Sequence, residues 1–224
     1  DPEARDLLKA AWDQRYTLPM NVQIQGKWKL DSPGAQARFR NGLSKGSFLV
    51  HGLQDISVRL EMDRAARWSP NILRDVNDRI VGELKWLFDH LRPVPFEEEF
   101  KGCGFTKVDD KDSTVIQVAG HTDVLAFRLR KSQLVARLDN TSDGDLWWEF
   151  KWKKLPDGRQ RLESSTRRMN RKKYEEKISY SKKKGLYVPK KWARFKSWSA
   201  RGKRDYGLDK WELTGLKVDV PSGP

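Results

Sequence analysis

LWWEFKWKKLPDGRQRLESSTRRM, residues 146–169, reads as two strands joined by a turn. Pro156-Asp157-Gly158 is the turn signal, and the residues on either side alternate in character. Trp147 and Trp148 are adjacent, so on a strand they point to opposite faces. Trp148, Phe150 and Trp152 then line a single face, while Glu149, Lys151 and Lys153 line the other.

The same period extends outward on both sides. NVQIQGKWKL, residues 21–30, sets Val22, Ile24, Trp28 and Leu30 against Asn21, Gln23, Lys27 and Lys29. Further strands are predicted around Phe39, over SFLVHG, and over ISVRLEM, where Ile56, Val58, Leu60 and Met62 alternate with polar residues. Strands are expected over 20–62 and a meander over 105–220. Its segments are separated by Asp139-Asn140, Asp143-Gly144, Pro156-Asp157-Gly158, Lys184-Gly185 and Arg201-Gly202. A spacing of about ten residues suits antiparallel neighbours. No strand-helix-strand alternation points to a parallel sheet.

Two segments change period. PEARDLLKAAWDQRY predicts a helix over 2–16, with Pro2 and Glu3 in its first turn and Leu7, Leu8, Ala11 and Trp12 recurring at helical spacing. SPNILRDVNDRIVGELKWLFDHL predicts a helix over 70–91, capped by Ser69 and started by Pro70. Its stripe is Ile72, Leu73, Val76, Ile80, Leu84, Leu87 and Leu91, and Pro93 and Pro95 stop it. The expectation is one α+β domain over 1–224: a strongly curved antiparallel sheet, an incomplete barrel, with the N-terminal helix and the long helix on its concave face.

The chain has 224 residues, ten of them Trp, and a net charge of +14. Its length suffices for a core without staples. Much of the charge sits in RRMNRKKYEEKISYSKKKGLYVPKKWARFKSW, residues 167–198, which sets thirteen Lys and Arg against two Glu. Trp192, Arg194, Lys196 and Trp198 share one predicted strand face, and Tyr174, Glu176, Ile178 and Tyr180 another. Two readings stay open. Either the stretch is a solvated sheet face whose long stems cover the strands, or it binds anions through Arg171, Lys173, Lys182, Lys183, Lys184, Lys190, Arg194 and Lys196. Trp192 and Trp198 beside those cations would also suit stacking on single-stranded nucleic acid.

ARDLLKAAWDQRYT, residues 4–17, and HLRPVPFEEEFKGCGF, residues 90–105, resemble a mainly cyanobacterial family without an assigned activity. The wider order of elements, with GLYVPKKW and LTGLKVDV near the end, resembles the LolA-like superfamily of lipoprotein-localisation factors. That resemblance implies an incomplete antiparallel barrel whose concave side is closed by helices around an apolar cavity. The high Trp count and the basic C-terminal third depart from a plain carrier of that type.

Candidate sites follow from the aromatic and titratable residues. Trp148, Phe150 and Trp152, with Trp28 and Trp211 as neighbours, would wall an apolar pocket for a lipid-like ligand, or else fill the core. His51, His90 and His121 are the only histidines and Cys103 the only cysteine. They form no close-spaced ligand pair, so no metal and no cofactor are expected. Glu97, Glu98 and Glu99 beside His90 and Arg92 read as a solvated helix start rather than an acid-base pair. No phosphate-binding glycine loop or nucleophile elbow is present, and no apolar run approaches the roughly 20 residues of a membrane span. The expected function is a non-enzymatic carrier of an apolar or amphipathic ligand, with a basic surface for an anionic membrane or polyanion. A single-stranded nucleic-acid or polyanion binder is the alternative, and an enzyme using the cavity the third. The sequence leaves the compartment open, with export favoured over the cytosol and a start that is compatible with a removed leader.

Overall fold

A computed structural model describes residues 1–31, 45–53, 55–61, 69–141, 144–169, 172–200 and 203–221, with backbone alone at 169, 198–200 and 203–206. The strand expected around Phe39, the Met62 position, Arg171, and the turn at Arg201-Gly202 lie outside the described residues. Twelve strands are linked in the order β3 (Asp55–Leu60), β2 (Lys45–His51), β1 (Gln23–Asp31), β12 (Lys203–Asp219), β11 (Leu186–Ala200), β10 (Lys172–Lys183), β9 (Gln160–Met169), β8 (Gly144–Lys154), β7 (Gln133–Thr141), β6 (Val124–Arg130), β5 (Ser113–Ala119), β4 (Gly104–Asp110). Every pairing with a described register is antiparallel, as the strand signals predicted. Among the described residues the sheet is not closed: β3 and β4 are its two ends.

The chain forms two compact units. The first comprises Asp1–Tyr16, Val94–Lys177 and Phe195–Tyr206; the second comprises Thr17–Pro93, Ile178–Arg194 and Gly207–Pro224.

In the first unit, helix α1 (Pro2–Asp13) packs on β4 (Gly104–Asp110), β5 (Ser113–Ala119), β6 (Val124–Arg130) and β7 (Gln133–Thr141). Asp1 is its N-cap, accepting from the Ala4 N–H at 3.3 Å, and Pro2 follows where no N–H is needed. Ala4, Leu8, Ala11 and Trp12 bury one face against Phe96, Phe100, Phe105, Ile116 and Phe127. The helix stops at Asp13 rather than Tyr16 because the backbone there pairs elsewhere. Gln160 donates to the Gln14 carbonyl at 2.7 Å and Tyr16 donates to the Gln160 carbonyl at 2.7 Å. PFEEE forms a single turn, α3 (Phe96–Glu99), consistent with a solvated helix start. Beyond α1 lie β8 (Gly144–Lys154), β9 (Gln160–Met169) and the start of β10 (Lys172–Lys183).

Asp139-Asn140, read as a turn, lies inside β7. Asp139 tolerates that buried place because Arg137 and the Trp148 indole both donate to its carboxylate. The turn before β5 is instead carried by Lys111 and the turn after β6 by Lys131 and Ser132, all at positive φ. Lys184-Gly185 turns the chain as expected, with φ of 47° and 82°.

In the second unit, α2 (Pro70–Asp89) has Ser69 as N-cap, its hydroxyl accepting from the Ile72 N–H at 3.4 Å. Val76, Ile80, Leu84, Leu87 and Phe88 form its buried stripe; Ile72, predicted to head that stripe, is exposed. Each fully buried side chain of this kind contributes about 1.5–3 kcal/mol. The helix ends two residues earlier than expected, yet Leu91 beyond it is still buried. It packs on β3 (Asp55–Leu60), on β2 (Lys45–His51) through Phe48 and Phe88, and on β11 (Leu186–Ala200) through Trp86 and Trp192; β1 (Gln23–Asp31) pairs with β2 and with β12 (Lys203–Asp219). Along β1, Ile24, Trp28 and Leu30 are buried and Gln25, Lys27 and Lys29 face outward or are partly exposed, so the predicted alternation holds.

Candidate functional site

The inward face of β6–β10 in the first unit is where chemistry-bearing residues converge. Cross-strand register aligns Phe127, Arg137, Trp148, Arg167 and Tyr174 in one row. The next row holds Phe150, Ser165 and Glu176, and the bulge at Lys151/Trp152 brings Trp152 opposite Leu162. Trp148 and Phe150 are near-parallel with centroids 6.4 Å apart, and Phe150 and Trp152 lie 5.8 Å apart. All three are half-buried: Phe150 and Trp152 lean on the α1 core without being sealed by it, and Trp148 stacks on Phe150.

Charged groups frame this aromatic row. Arg137 Nη2 donates to Asp139 at 2.8 Å, and the Trp148 indole N–H donates to the same carboxylate at 2.8 Å. Arg167 stacks 5.5 Å from the Trp148 centroid and 4.4 Å from that of Tyr174. Glu176 is fully buried and accepts from the Ser165 hydroxyl at 3.1 Å. At the end of α1, Arg15 lies 3.3 Å above the Trp12 ring and its Nε donates to the Trp12 carbonyl. Burial lowers the Arg15 guanidinium to about 10; Glu99 opposes the shift, Arg137 adds to it and Asp13 opposes it.

The five aromatic residues expected in one pocket fall into two sets. Trp148, Phe150 and Trp152 form the row just described. Trp28 and Trp211 belong to the second unit, where they are buried. There Trp28 lies 5.9 Å from Trp211, Trp211 stacks on Trp192 at 5.0 Å and 7°, and Trp192 lies 5.4 Å from Trp86. This stack is packed core.

Trp192 and Arg194 do share a strand face, but it is the inward one. Trp192 is 1% exposed, so it offers no platform to a nucleic-acid base. Arg194 differs from the solvent-facing cation the pattern suggested: its guanidinium bonds Glu83 at 2.7 Å and lies over both Trp86 and Trp192. The outward cations are elsewhere in the stretch. Lys173 pairs with Glu175, holding that carboxyl below its ordinary range chiefly through the hydrogen bond. Lys182 lies over Tyr187, Lys190 is exposed, and Lys196 is half-buried. Lys183 and Lys184 line a groove of about 710 Å³ with Gln23, Gln25, Leu49 and Lys217, where Lys184 also bonds Asp219 at 3.0 Å.

The histidines and the cysteine do not assemble. His90 bonds the Tyr180 hydroxyl at 3.0 Å in the second unit. His121 Nδ1 accepts from the Asp123 and Val124 N–H groups in the first, which is the turn its sequence suggested. Burial, with a smaller contribution from Glu99, raises the Cys103 thiol above its ordinary value. Among the described residues no group of three or more His, Cys, Asp or Glu is placed to hold a metal ion. Arg15, Arg137, Asp139 and Arg167 were not singled out from sequence, and their signal is faint. Arg137 and Asp139 occupy inward positions of a strand that otherwise alternates, and Arg15 sits at a helix end.

No protein-family model matches the chain, and no curated protein matches it in sequence. Among solved structures it is similar to the complex structure of Pseudomonas aeruginosa MucA/MucB and to MucB in complex with MucA(peri). Each aligns at 10% identity over 99% of this chain and 100% of the other, with TM-scores of 0.24 and 0.25. At that level of superposition the reading of function rests on the chain's own residues. No helix among the described residues is long and apolar enough to cross a membrane.

Proposed function

We propose that the chain is a non-enzymatic binding protein that holds an apolar or amphipathic ligand against the aromatic row of the first unit. The observation that carries this reading is the half-burial of Trp148, Phe150 and Trp152 on one strand face. Rings serving only as core are sealed, as Trp28, Trp192 and Trp211 are. Rings left partly open next to a packed core present a ready apolar wall with a few polar groups at its margin, which is the usual make-up of a small-ligand site. A lipid-like carrier fits this composition. The test is titration with the uncharged apolar dye Nile red. Binding should quench Trp emission and weaken at least tenfold in Trp148→Ala/Trp152→Ala. Dye binding that ignores both substitutions would place the ligand elsewhere or nowhere.

A second reading, a polyanion-binding surface, is favoured by the groove where Lys183, Lys184 and Lys217 meet. Such binding would fall steeply with salt and would depend little on the chemistry of the polyanion. Heparin and single-stranded DNA titrated at two salt concentrations separate it from base stacking. Equal, salt-sensitive affinities support a charged face, and a marked preference for DNA refutes it.

A further inference from the structure

The aromatic row leads toward a cation that has no counter-ion among the described residues. Arg15 is partly buried at the end of α1. Its Nε is committed to the Trp12 carbonyl, and its flat face rests on the Trp12 ring. Among the described residues no carboxylate lies within ion-pairing distance of it. The neighbouring arginine is different: Arg137 is gripped by Asp139. A buried guanidinium normally has a paired acceptor, because desolvating an unpaired charge is costly. Leaving Arg15 without one is a standing cost that a bound anion would offset.

The position fits the row. Arg15 bridges to Gln160 on β9, two residues before Leu162, the partner of Trp152. From the other side, Arg15 rests on Trp12, Trp12 packs edge-on against Phe127 at 6.3 Å, and Phe127 is in register with Arg137, the neighbour of Trp148. Arg15 therefore sits at one margin of the face that Trp148, Phe150 and Trp152 line. Around it, Gln14, Gln160 and Gln133 hydrogen-bond to one another through their side-chain amides, while Glu99, Asp13 and Arg137 act on Arg15 only from beyond ion-pairing distance. With Nε occupied, the guanidinium keeps Nη1 and Nη2 for a partner. Two parallel N–H donors match the two oxygens of a carboxylate.

We propose that Arg15 receives the carboxylate of an amphiphile whose apolar chain lies along Trp148, Phe150 and Trp152. The proposal rests on the aromatic-row reading above and adds the class of ligand. From Trp148 to Trp152 the row covers four residue steps of strand, about 13 Å, which suits a medium-length acyl chain.

The experiment compares dodecanoate, its methyl ester and dodecyl phosphate as competitors of Nile red at pH 8, on the full chain. Dodecanoate should bind at least tenfold more tightly than the ester. Arg15→Met should abolish that preference while leaving the ester's affinity unchanged. Arg15→Lys, which keeps the charge but loses the fork, should restore part of it and guards against a fold defect in the first variant. Equal binding of dodecanoate and ester to the unaltered protein, or a preference that survives Arg15→Met, overturns the proposal while leaving the aromatic-row reading intact. Displacement by none of the three, with dye binding indifferent to Trp148→Ala/Trp152→Ala, overturns that reading as well. Tighter binding of dodecyl phosphate than of dodecanoate replaces the carboxylate with a phosphate and overturns the carboxylate assignment.

Discussion

Replacing Arg194 by Met should destabilise the second unit strongly, and replacing Glu83 at the same time should restore most of what is lost. The Arg194 side chain is 6% exposed and that of Glu83 17%, and their bond is 2.6–2.7 Å long. Removing one partner of such a pair costs about 3–5 kcal/mol, because the other charge stays behind without compensation. Glu83 keeps some contact with water, which argues for the lower end, about 3 kcal/mol. Loss of the guanidinium from the faces of Trp86 and Trp192 adds about 1 kcal/mol. For a chain of this length each kcal/mol moves Tm by about 2–4 °C, so the single variant should melt roughly 10 °C lower. Arg194→Met/Glu83→Gln leaves no stranded charge and should recover to within about 1–2 kcal/mol of the parent. Calorimetry and urea unfolding of the four proteins give the coupling energy directly. A coupling below about 0.5 kcal/mol would refute the buried pair and return Arg194 to the set of cations open to an external anion.

The remaining expectations concern packing and pH. Leu84→Asp places a charge where the side chain is fully buried and should cost several kcal/mol, read as collapse of the thermal transition; an unchanged Tm would mean α2 does not cover its strands. Gly46→Ala should cost about 2–3 kcal/mol in a denaturant titration, since a Cβ there would lie 2.2 Å from the Arg59 carbonyl oxygen and 2.7 Å from Trp28 Nε1. A neutral outcome would show that β2 and β3 can part at no cost. Glu175, lowered in the folded state by Lys173, contributes stability above its unfolded value that is lost as pH falls through the lowered one. Lys173→Ala should therefore narrow the stability difference between pH 7 and pH 3 in urea titrations, and an unchanged difference would show the pair makes no contribution.

Much of the architecture was legible because it follows from period and punctuation. VLAFRLR and QRLESSTRRM occupy β6 and β9 as predicted, and Ser69 caps α2. What escaped has physical causes. Tight turns usually announce themselves by Gly, but Lys111, Lys131 and Ser132 adopt positive φ without one. Helix α1 loses its last residues to pairing with β9, a partner more than a hundred residues away. Polar residues are read as outward by default. Asp139 is buried because Arg137 and Trp148 satisfy it, and Arg194 because Glu83 does. The two compact units are not contiguous stretches, since β10, β11 and β12 each belong partly to both, so no linker marks them. The aromatic row was visible as Trp148, Phe150 and Trp152, but Arg15 beside it was not. A helix-end arginine is ordinary until it is seen to have no counter-ion among the described residues.

The parallel Trp192–Trp211 pair also gives the molecule an optical signature. Two indoles 5.0 Å apart and 7° from parallel couple their excited states, and Trp28 and Trp86 on either side extend the array. The second unit should therefore produce a split band in far-ultraviolet circular dichroism that vanishes with Trp211→Phe. In the first unit the exposed indole of Trp147, with the half-buried ones of Trp148 and Trp152, should instead supply emission accessible to acrylamide. Unfolding can then be followed by two colours at once: loss of the split band reports on the second unit, and the quenchable emission reports on the first.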